Sequence, residues 1–565
     1  MRNKKMDDNL LGRRIKISLN VSALIFIFIA LLIPNRISSI TPLAFASFPL
    51  EALLLGLVLL CPGHPGLVAL ALASLLLAAG IIFKLADMGT YQAFGRPFNP
   101  VLDSHFLADG INLLQGAIGQ VGALIVMALL MVLIVGIVLL TSVVLGQVQT
   151  LLRLTPKVCS MGLLAGLIIW TGFSLGGWQR ASTPFYDLMA GHLSSTLSSI
   201  DDLKVFSEVV NNDPYASVSD NSLFDKLKGK DVLVVFIESY GRTVLDKPDF
   251  AAHIRPLLEQ GSVNLAAKGL FSRSAYLTSP TNGGISWLAH GTLLSGLWIN
   301  SQTRYDRLVM SERPSLNRLF KRAGWRTVAV QPAHTMDWPQ GKYFGYDQVY
   351  AAKDLGYQGQ PFNWITMPDQ YTLSSFQSRE RKSGGRTPVM AEIALISSHA
   401  PWTPLPQLVG WEQMGDGTIF NERARIGDTP ETVWQNTGRI REQYRKSIEY
   451  ALANIVSYAM TYGDDNLVIL VLGDHQPTPF VTGESDNRDV LVHLISRDPT
   501  VMEAVQDWHW TDGMLPASNA PVWGMDKMRD RFITAFSKQT TDFTQLNLTN
   551  FEGRVASKYP DTLKR

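Results

Sequence analysis

The chain has 565 residues, 46% of them apolar and only 17% charged, with a formal net charge of +2. That length allows two or more domains, and a near-neutral balance gives no bulk attraction to nucleic acid. Only two cysteines are present, Cys61 and Cys159, both at the edges of apolar runs. The chain therefore has no disulfide framework, and about 380 residues beyond the apolar region must supply their own core.

Five apolar segments open the chain, near Ile15–Pro34, Pro42–Cys61, Leu67–Ala86, Ile118–Leu145 and Met161–Trp178. A helix needs about 20 apolar residues to cross a bilayer core, so five retained spans are expected. Basic residues at Arg2, Lys4, Lys5, Arg13, Arg14 and Lys16, and again at Arg153 and Lys157, place the N-terminus and the loop before the fifth segment in the cytoplasm. Everything after Trp178 is then expected outside. The loop Asp87–Gln115, with Tyr91, Phe94, Arg96, Phe98, Asp103 and His105, falls on that same outer side. It reads either as a segment in contact with the outer domain or as an amphipathic connector.

Composition changes after residue 178. Residues 179–230 read as helices and linker along the membrane surface, giving three expected parts: 1–178, 179–230 and a catalytic domain at 231–565. From Asp231 onward strands alternate with helices. Asp231–Ile237 is a continuous β-branched run, as in a strand buried on both faces. Thr327–Gln331, Met390–Ile396, Leu467–Leu472 and Val490–Ile495 are further strands, with helices at Ser315–Ala323 and Glu442–Tyr462 among those between them. The expected fold is a helical membrane bundle followed by an α/β domain with a mainly parallel sheet, whose ligands bind beyond the strand C-termini.

Three strands end in chemistry. Glu238-Ser239-Tyr240-Gly241 follows the first, Ser397-Ser398-His399 the third and Gly473-Asp474-His475-Gln476 the fourth. Carboxylates with imidazole suit a divalent cation. These motifs resemble those of the sulfatase-like branch of the alkaline-phosphatase superfamily. Within it the chain is most similar to the lipoteichoic-acid synthases and the related phosphoglycerol and phosphoethanolamine transferases. Phe344-Gly345-Tyr346-Asp347, Pro368-Asp369 and the helix from Tyr444 to Tyr450 belong to the same likeness.

The resemblance implies an alkaline-phosphatase-like fold, with Glu238, Asp474 and His475 binding one divalent metal, Mn²⁺ or Zn²⁺ with Mg²⁺ as a further candidate. It also implies a nucleophile nine residues before a Thr-Gly or Ser-Gly pair. Counting back from Ser295-Gly296 gives Ser286, preceded by Gly283 and Gly284, as catalytic residue and fourth metal ligand. Thr278, Ser279 and Thr281 remain alternatives. His399 resembles the family histidine that faces substrate, and Trp338 an aromatic of the headgroup pocket. His290, one helical turn past Ser286, either approaches the substrate or packs. His493 lies in a strand, as a core residue or part of a second metal site.

Sulfatases mature a Cys or Ser within Cys/Ser-x-Pro-x-Arg. Here Ser286-Trp-Leu-Ala-His290 has neither the proline nor the arginine, which argues against sulfate-ester hydrolysis. The expected activity is transfer of a phospholipid headgroup to a glycan or lipid outside the inner membrane, in the periplasm. The competing readings are a phosphodiesterase, phosphatase or sulfuric-ester hydrolase, and a non-catalytic lipid-binding regulator.

Overall fold

The computed structural model describes residues 2–538, apart from Gly95, Ser104, His105, Gln179, Met336, Asp337, Ser383, Gly384 and Glu484. His105 thus lies outside the described residues, as do the side chains of Arg2, Lys4, Lys5, Arg13, Arg14 and Phe94. The chain divides into two compact units, Met1–Tyr91 with Arg96–Asp201, and Gln92–Gly95 with Asp202–Arg565.

The first unit is helical: α1 (Arg2–Leu32), α2 (Leu50–Leu59), α3 (Gly63–Phe94), α4 (Phe106–Leu152), α5 (Pro156–Leu175) and α6 (Pro184–Val210), whose residues from Asp202 belong to the second unit. Among the described residues three helical stretches are long and apolar enough to cross a membrane: Gly63–Gln92, Ile118–Leu152 and Pro156–Leu175. The first apolar run lies in α1 and is apolar over Lys16–Leu32. The second differs from the expectation. Pro42 starts a 3-10 turn and Pro49 ends an extended pair, so the helix is the 10-residue α2. At 1.5 Å per residue it is about 15 Å long, roughly half a bilayer core.

The loop after α3 folds onto its own unit. Asp87 is fully buried and accepts hydrogen bonds from Asn35 Nδ2 (2.6 Å) and the Phe98 amide (2.8 Å), while His192 Nε2 lies 3.1 Å away. Arg96 pairs with Asp103, and Asn99 Nδ2 donates to Ser195 and Ser199 of α6. These bonds satisfy polar groups that apolar surroundings would otherwise penalise.

The second unit is built on a nine-stranded sheet. Its strands are β1 (Asp231–Ile237), β2 (Phe271–Thr278), β3 (Arg326–Gln331), β4 (Gln348–Ala351), β5 (Val389–Leu395), β6 (Leu467–Gly473), β7 (Asp489–Ser496), β8 (Thr511–Asp512) and β9 (Val522–Gly524). The order is β8-β2-β7-β6-β1-β5-β3-β4, with β9 parallel on β2. β6, β1, β5, β3 and β4 are parallel neighbours, and β7 runs against β6 and β2. Every residue of β1 and β6 is buried, as their apolar runs require when helices cover both faces. The strands read from the sequence are all present. β2, β4, β8 and β9 were not read from it.

Helices α7 (Pro248–Ala267), α8 (Ser286–Ser295), α9 (Asp369–Phe376) and α10 (Thr437–Tyr462) belong to this unit. The stretch read as linker is part of it from Asp202. Phe206, Val210, Tyr215, Val218, Leu223, Phe224 and Leu227 share one apolar core with the sheet. Asp213 fastens it further, meeting Arg313 at 3.0 Å and Arg529 at 2.7 Å, all with side chains no more than 3% exposed.

Candidate active site

Register brings the motifs together. Ile237 at the end of β1 aligns with Leu395 of β5 on one side and Gly473 of β6 on the other. The residues that follow, Glu238, Ile396–His399 and Asp474–His475, therefore emerge on one rim. β2 runs in the same direction as β6 and delivers 279–286 there too. Gly473 has a specific reason: a Cβ on it would stand 2.1 Å from the Tyr240 carbonyl oxygen. A Cβ on Gly241 would stand 2.7 Å from Gln476 Cα. The two motif turns meet backbone to backbone, which only glycine permits.

The Glu238 turn is held tightly. Ser239 has φ +58°, a left-handed conformation costly for serine. Its amide donates to Asp474 Oδ1 at 2.7 Å, its carbonyl accepts from Tyr444 of α10 at 2.8 Å, and Ser398 Oγ donates to the Glu238 carbonyl at 2.6 Å. Asp474 Oδ1 also accepts the His475 amide at 2.7 Å. His475 Nδ1 donates to the Gln476 carbonyl at 2.8 Å, which leaves Nε2 as the ligating nitrogen.

Among the described residues Glu238, Asp474 and His475 form the one cluster of three acidic, imidazole or thiol groups suited to a metal, with ligand atoms all within 4.8 Å of one another. Ser286 joins them. Its Oγ donates to Glu238 Oε2 at 3.0 Å and lies 3.1 Å from His475 Nε2. Ile285 (φ +64°), Gly283 and Gly284 turn the chain sharply into α8, so that Ser286 begins the helix. The alternative hydroxyls are engaged elsewhere or apart. Thr278 donates to Asp489, Ser279 to the Asp474 carbonyl, and Thr281 Oγ1 is buried without a partner among the described residues.

Electrostatics fit a cation. Burial raises the Glu238 carboxyl, but the adjacent His475 outweighs it and holds the group well below the usual range. At Asp474, burial and then the Glu238 charge push the carboxyl up to about 6. Burial lowers His475, yet Asp474 and Glu238 together bring its imidazole up to about 9. Two buried carboxylates here retain positive charge beside them, and a divalent ion held by oxygen and nitrogen donors supplies it.

The other expected site residues are placed differently. His399 is exposed and makes no hydrogen bond to this cluster, but its charge acts on Glu238. Two residues on, Pro401 lines an open cavity of about 330 Å³ with Asn363, Trp364, Pro430, Glu431 and Trp434. Trp338 packs in an aromatic cluster with His334, Phe344 and Tyr346. His290 turns to Glu392. His493 is a core residue: fully buried, pushed down to about 3 by burial, with Nε2 3.0 Å from the Tyr240 hydroxyl. Asp369, though its sequence was singled out, had no assigned role. Its Oδ1 accepts the Ile396 and Ser397 amides at 2.8 and 2.9 Å and so fixes the segment that carries His399.

The sulfatase family profile matches residues 230–494, which lie within the second unit. Solved structures similar to the chain include the lipoteichoic acid synthase LtaP from Listeria monocytogenes, at 15% identity and TM-score 0.37, covering 60% of this chain and 79% of that one. The Streptococcus pyogenes phosphoglycerol transferase GacH, in complex with sn-glycerol-1-phosphate, is similar at 12% and 0.35, over 65% and 96%. The C-terminal periplasmic domain of EptC from Escherichia coli is similar at 14% and 0.33, over 47% and 72%. No curated protein sequence matches the chain.

Proposed function

We propose that the chain is a multi-pass inner-membrane transferase, with an outer catalytic domain, that moves a phospholipid headgroup to a glycan or lipid through phosphorylated Ser286. The observation that carries this is Ser286 Oγ at 3.0 Å from Glu238 and 3.1 Å from His475, at the first residue of a helix. Glu238, Asp474, His475 and Ser286 would hold Mn²⁺ or Zn²⁺, with Mg²⁺ as the further candidate. When bound, the ion supplies Lewis-acid stabilisation of phosphoryl charge.

The chain's own groups do the rest. Ser286 Oγ attacks phosphorus while the bond from phosphorus to the diacylglycerol oxygen breaks. The serine proton has an acceptor at hand in the Glu238 carboxylate. His399, exposed at the rim, gives a proton to the departing alcohol and takes one from the incoming acceptor. The first turn of α8 faces the phosphorylated serine with its amide end, where negative charge is favoured. Trp338 and His290 serve as substrate-side groups, and the open cavity lined by Pro401, on the segment that carries His399, offers room for an acceptor. Apolar helices in the same chain support a lipid donor over a soluble ester.

Incubation of the full chain with labelled phosphatidylglycerol or phosphatidylethanolamine tests the reading. Diacylglycerol release is expected from one of them even without acceptor. Turnover of simple phosphomonoesters or diesters with neither lipid touched supports the hydrolase instead. Turnover of sulfate esters supports sulfuric-ester hydrolysis. Lipid binding without any turnover supports the non-catalytic regulator.

A further inference from the structure

Beside the metal-ligand cluster lies a second ionisable pair, of which the proposed reaction uses only His290 and gives Glu392 no role. Glu392 sits in the middle of β5, aligned with Val234 of β1 and Ala329 of β3, and is 1% exposed. A carboxylate at that depth is costly unless a cationic or hydrogen-bonding partner meets it. The partner is His290. Its Nδ1 lies 2.6 Å from Glu392 Oε1, a short contact of the charge-assisted kind. The imidazole also stacks on Phe236 of β1, centroids 3.8 Å apart and planes 13° from parallel. The ring is therefore fixed both in plane and in rotation.

His290 stands one turn after Ser286 on α8, and its charge acts on Asp474 on one side and His334 on the other. Its Nδ1 is committed to Glu392, and Nε2 makes no hydrogen bond among the described residues. Nor is that atom among the buried nitrogens that lack a partner. A pair that holds one proton on the Nδ1···Oε1 axis and one on Nε2 is neutral overall, which is the combination a buried site tolerates best. Nε2–H is then a free donor, at the end of a rigid ring, on the helix that Ser286 begins.

We infer that Glu392 is a positioning residue: it fixes His290 so that Nε2 donates to the phosphoryl group transferred at Ser286. This rests on the phosphotransfer reading above but not on the lipid being the donor. A pair that only filled the core would stabilise the sheet and leave turnover of the folded protein unchanged.

The experiment uses the full chain with two probes, bis(p-nitrophenyl) phosphate for turnover and orthovanadate for binding of a phosphoryl mimic. Glu392→Ala is expected to lower kcat about 10- to 100-fold with KM within about threefold, the usual cost of losing the partner that orients a functional histidine. His290→Ala should lose a similar factor, and the double variant no more than His290→Ala alone. Glu392→Gln keeps an acceptor for Nδ1 and should fall between wild type and Glu392→Ala. It also keeps the experiment readable if the alanine variant does not fold. Vanadate affinity should weaken in the same order. Losses that multiply in the double variant, or a change confined to the melting temperature, would overturn the inference. Turnover of the diester with no release from either lipid would sink the lipid-donor reading and still decide the role of Glu392. If the diester is not turned over, unchanged vanadate affinity in Glu392→Ala overturns it.

Discussion

Substituting Gly473 by alanine tests whether the backbone contact between the two motif turns sets the catalytic geometry. The added Cβ would lie 2.1 Å from the Tyr240 carbonyl oxygen and 2.8 Å from its carbonyl carbon, both main-chain atoms with no side chain to swing away. Real Cβ contacts essentially never fall under 3.0 Å, so the turns must separate by at least 3.0 − 2.1 = 0.9 Å. Glu238 lies two residues from Tyr240 and Asp474 follows Gly473, so the separation acts directly on a ligand set confined within 4.8 Å. A misplacement of about 1 Å costs on the order of 100-fold in turnover, while overpacking of this kind costs about 1–3 kcal/mol in stability. Gly473→Ala is thus expected to fold, to bind metal more weakly and to lose about two powers of ten in kcat/KM. Gly191→Ala, in α6, meets nothing within 4 Å and is the control. The assay is diester turnover with metal content and melting temperature measured on the same samples. A Gly473→Ala protein with metal content and turnover within threefold of wild type would refute the argument.

Asp369 gives a pH test. Burial raises its carboxyl to about 6 from 3.8, although the Ile396 and Ser397 amides and the Ser397 hydroxyl pull the other way. A raised carboxyl binds its proton more tightly in the folded state. Its contribution is complete below about pH 3.8 and is lost as pH rises through about 6. The loss is about 3 kcal/mol. The stability of wild type relative to Asp369→Asn should therefore fall across that window, read from urea midpoints at several pH values; parallel curves would contradict it. Asp213→Asn removes the carboxylate shared by Arg313 and Arg529 and should destabilise the protein by about 3–5 kcal/mol. A shift under about 1 kcal/mol would show that the guanidinium groups find other partners. Reporter fusions after Gln115 and after Arg565 should report the outer compartment and one after Gln149 the cytoplasm. A cytoplasmic C-terminus would contradict the topology.

The centre of the sheet was legible because β1, β3, β5, β6 and the antiparallel β7 are short runs rich in β-branched and other apolar residues, and burial on both faces demands that composition. β2 was not, because three polar residues follow Phe271 and break the apolar pattern; it pairs antiparallel with β7 and is continuously buried only over Ser274–Leu277. In the membrane unit hydropathy counted Pro42–Cys61 as one span, since a window average does not register that Pro49 lacks the amide needed to carry a helix through. The strand-end motifs singled out Glu238, Asp474 and His475, and the spacing implied by the family resemblance added Ser286; the fold brings ligand atoms of the first three within 4.8 Å of one another and Ser286 Oγ to 3.0 Å from Glu238 and 3.1 Å from His475. What spacing could not reveal were contacts set by tertiary register. Glu392 reads as one polar position in an apolar strand, and nothing local announces that His290, over a hundred residues earlier, meets it.

The central claim is a covalent phosphoryl group on Ser286, and peptide mass mapping tests it most directly. Full-length protein, loaded with Mn²⁺ or Zn²⁺ and incubated with headgroup-labelled phosphatidylglycerol or phosphatidylethanolamine, should yield a labelled phosphopeptide containing Ser286. Ser286→Ala should give none while keeping its fold. An adduct on Thr278, Ser279 or Thr281 would move the nucleophile, and diacylglycerol release by the Ser286→Ala protein at the wild-type rate would contradict the account.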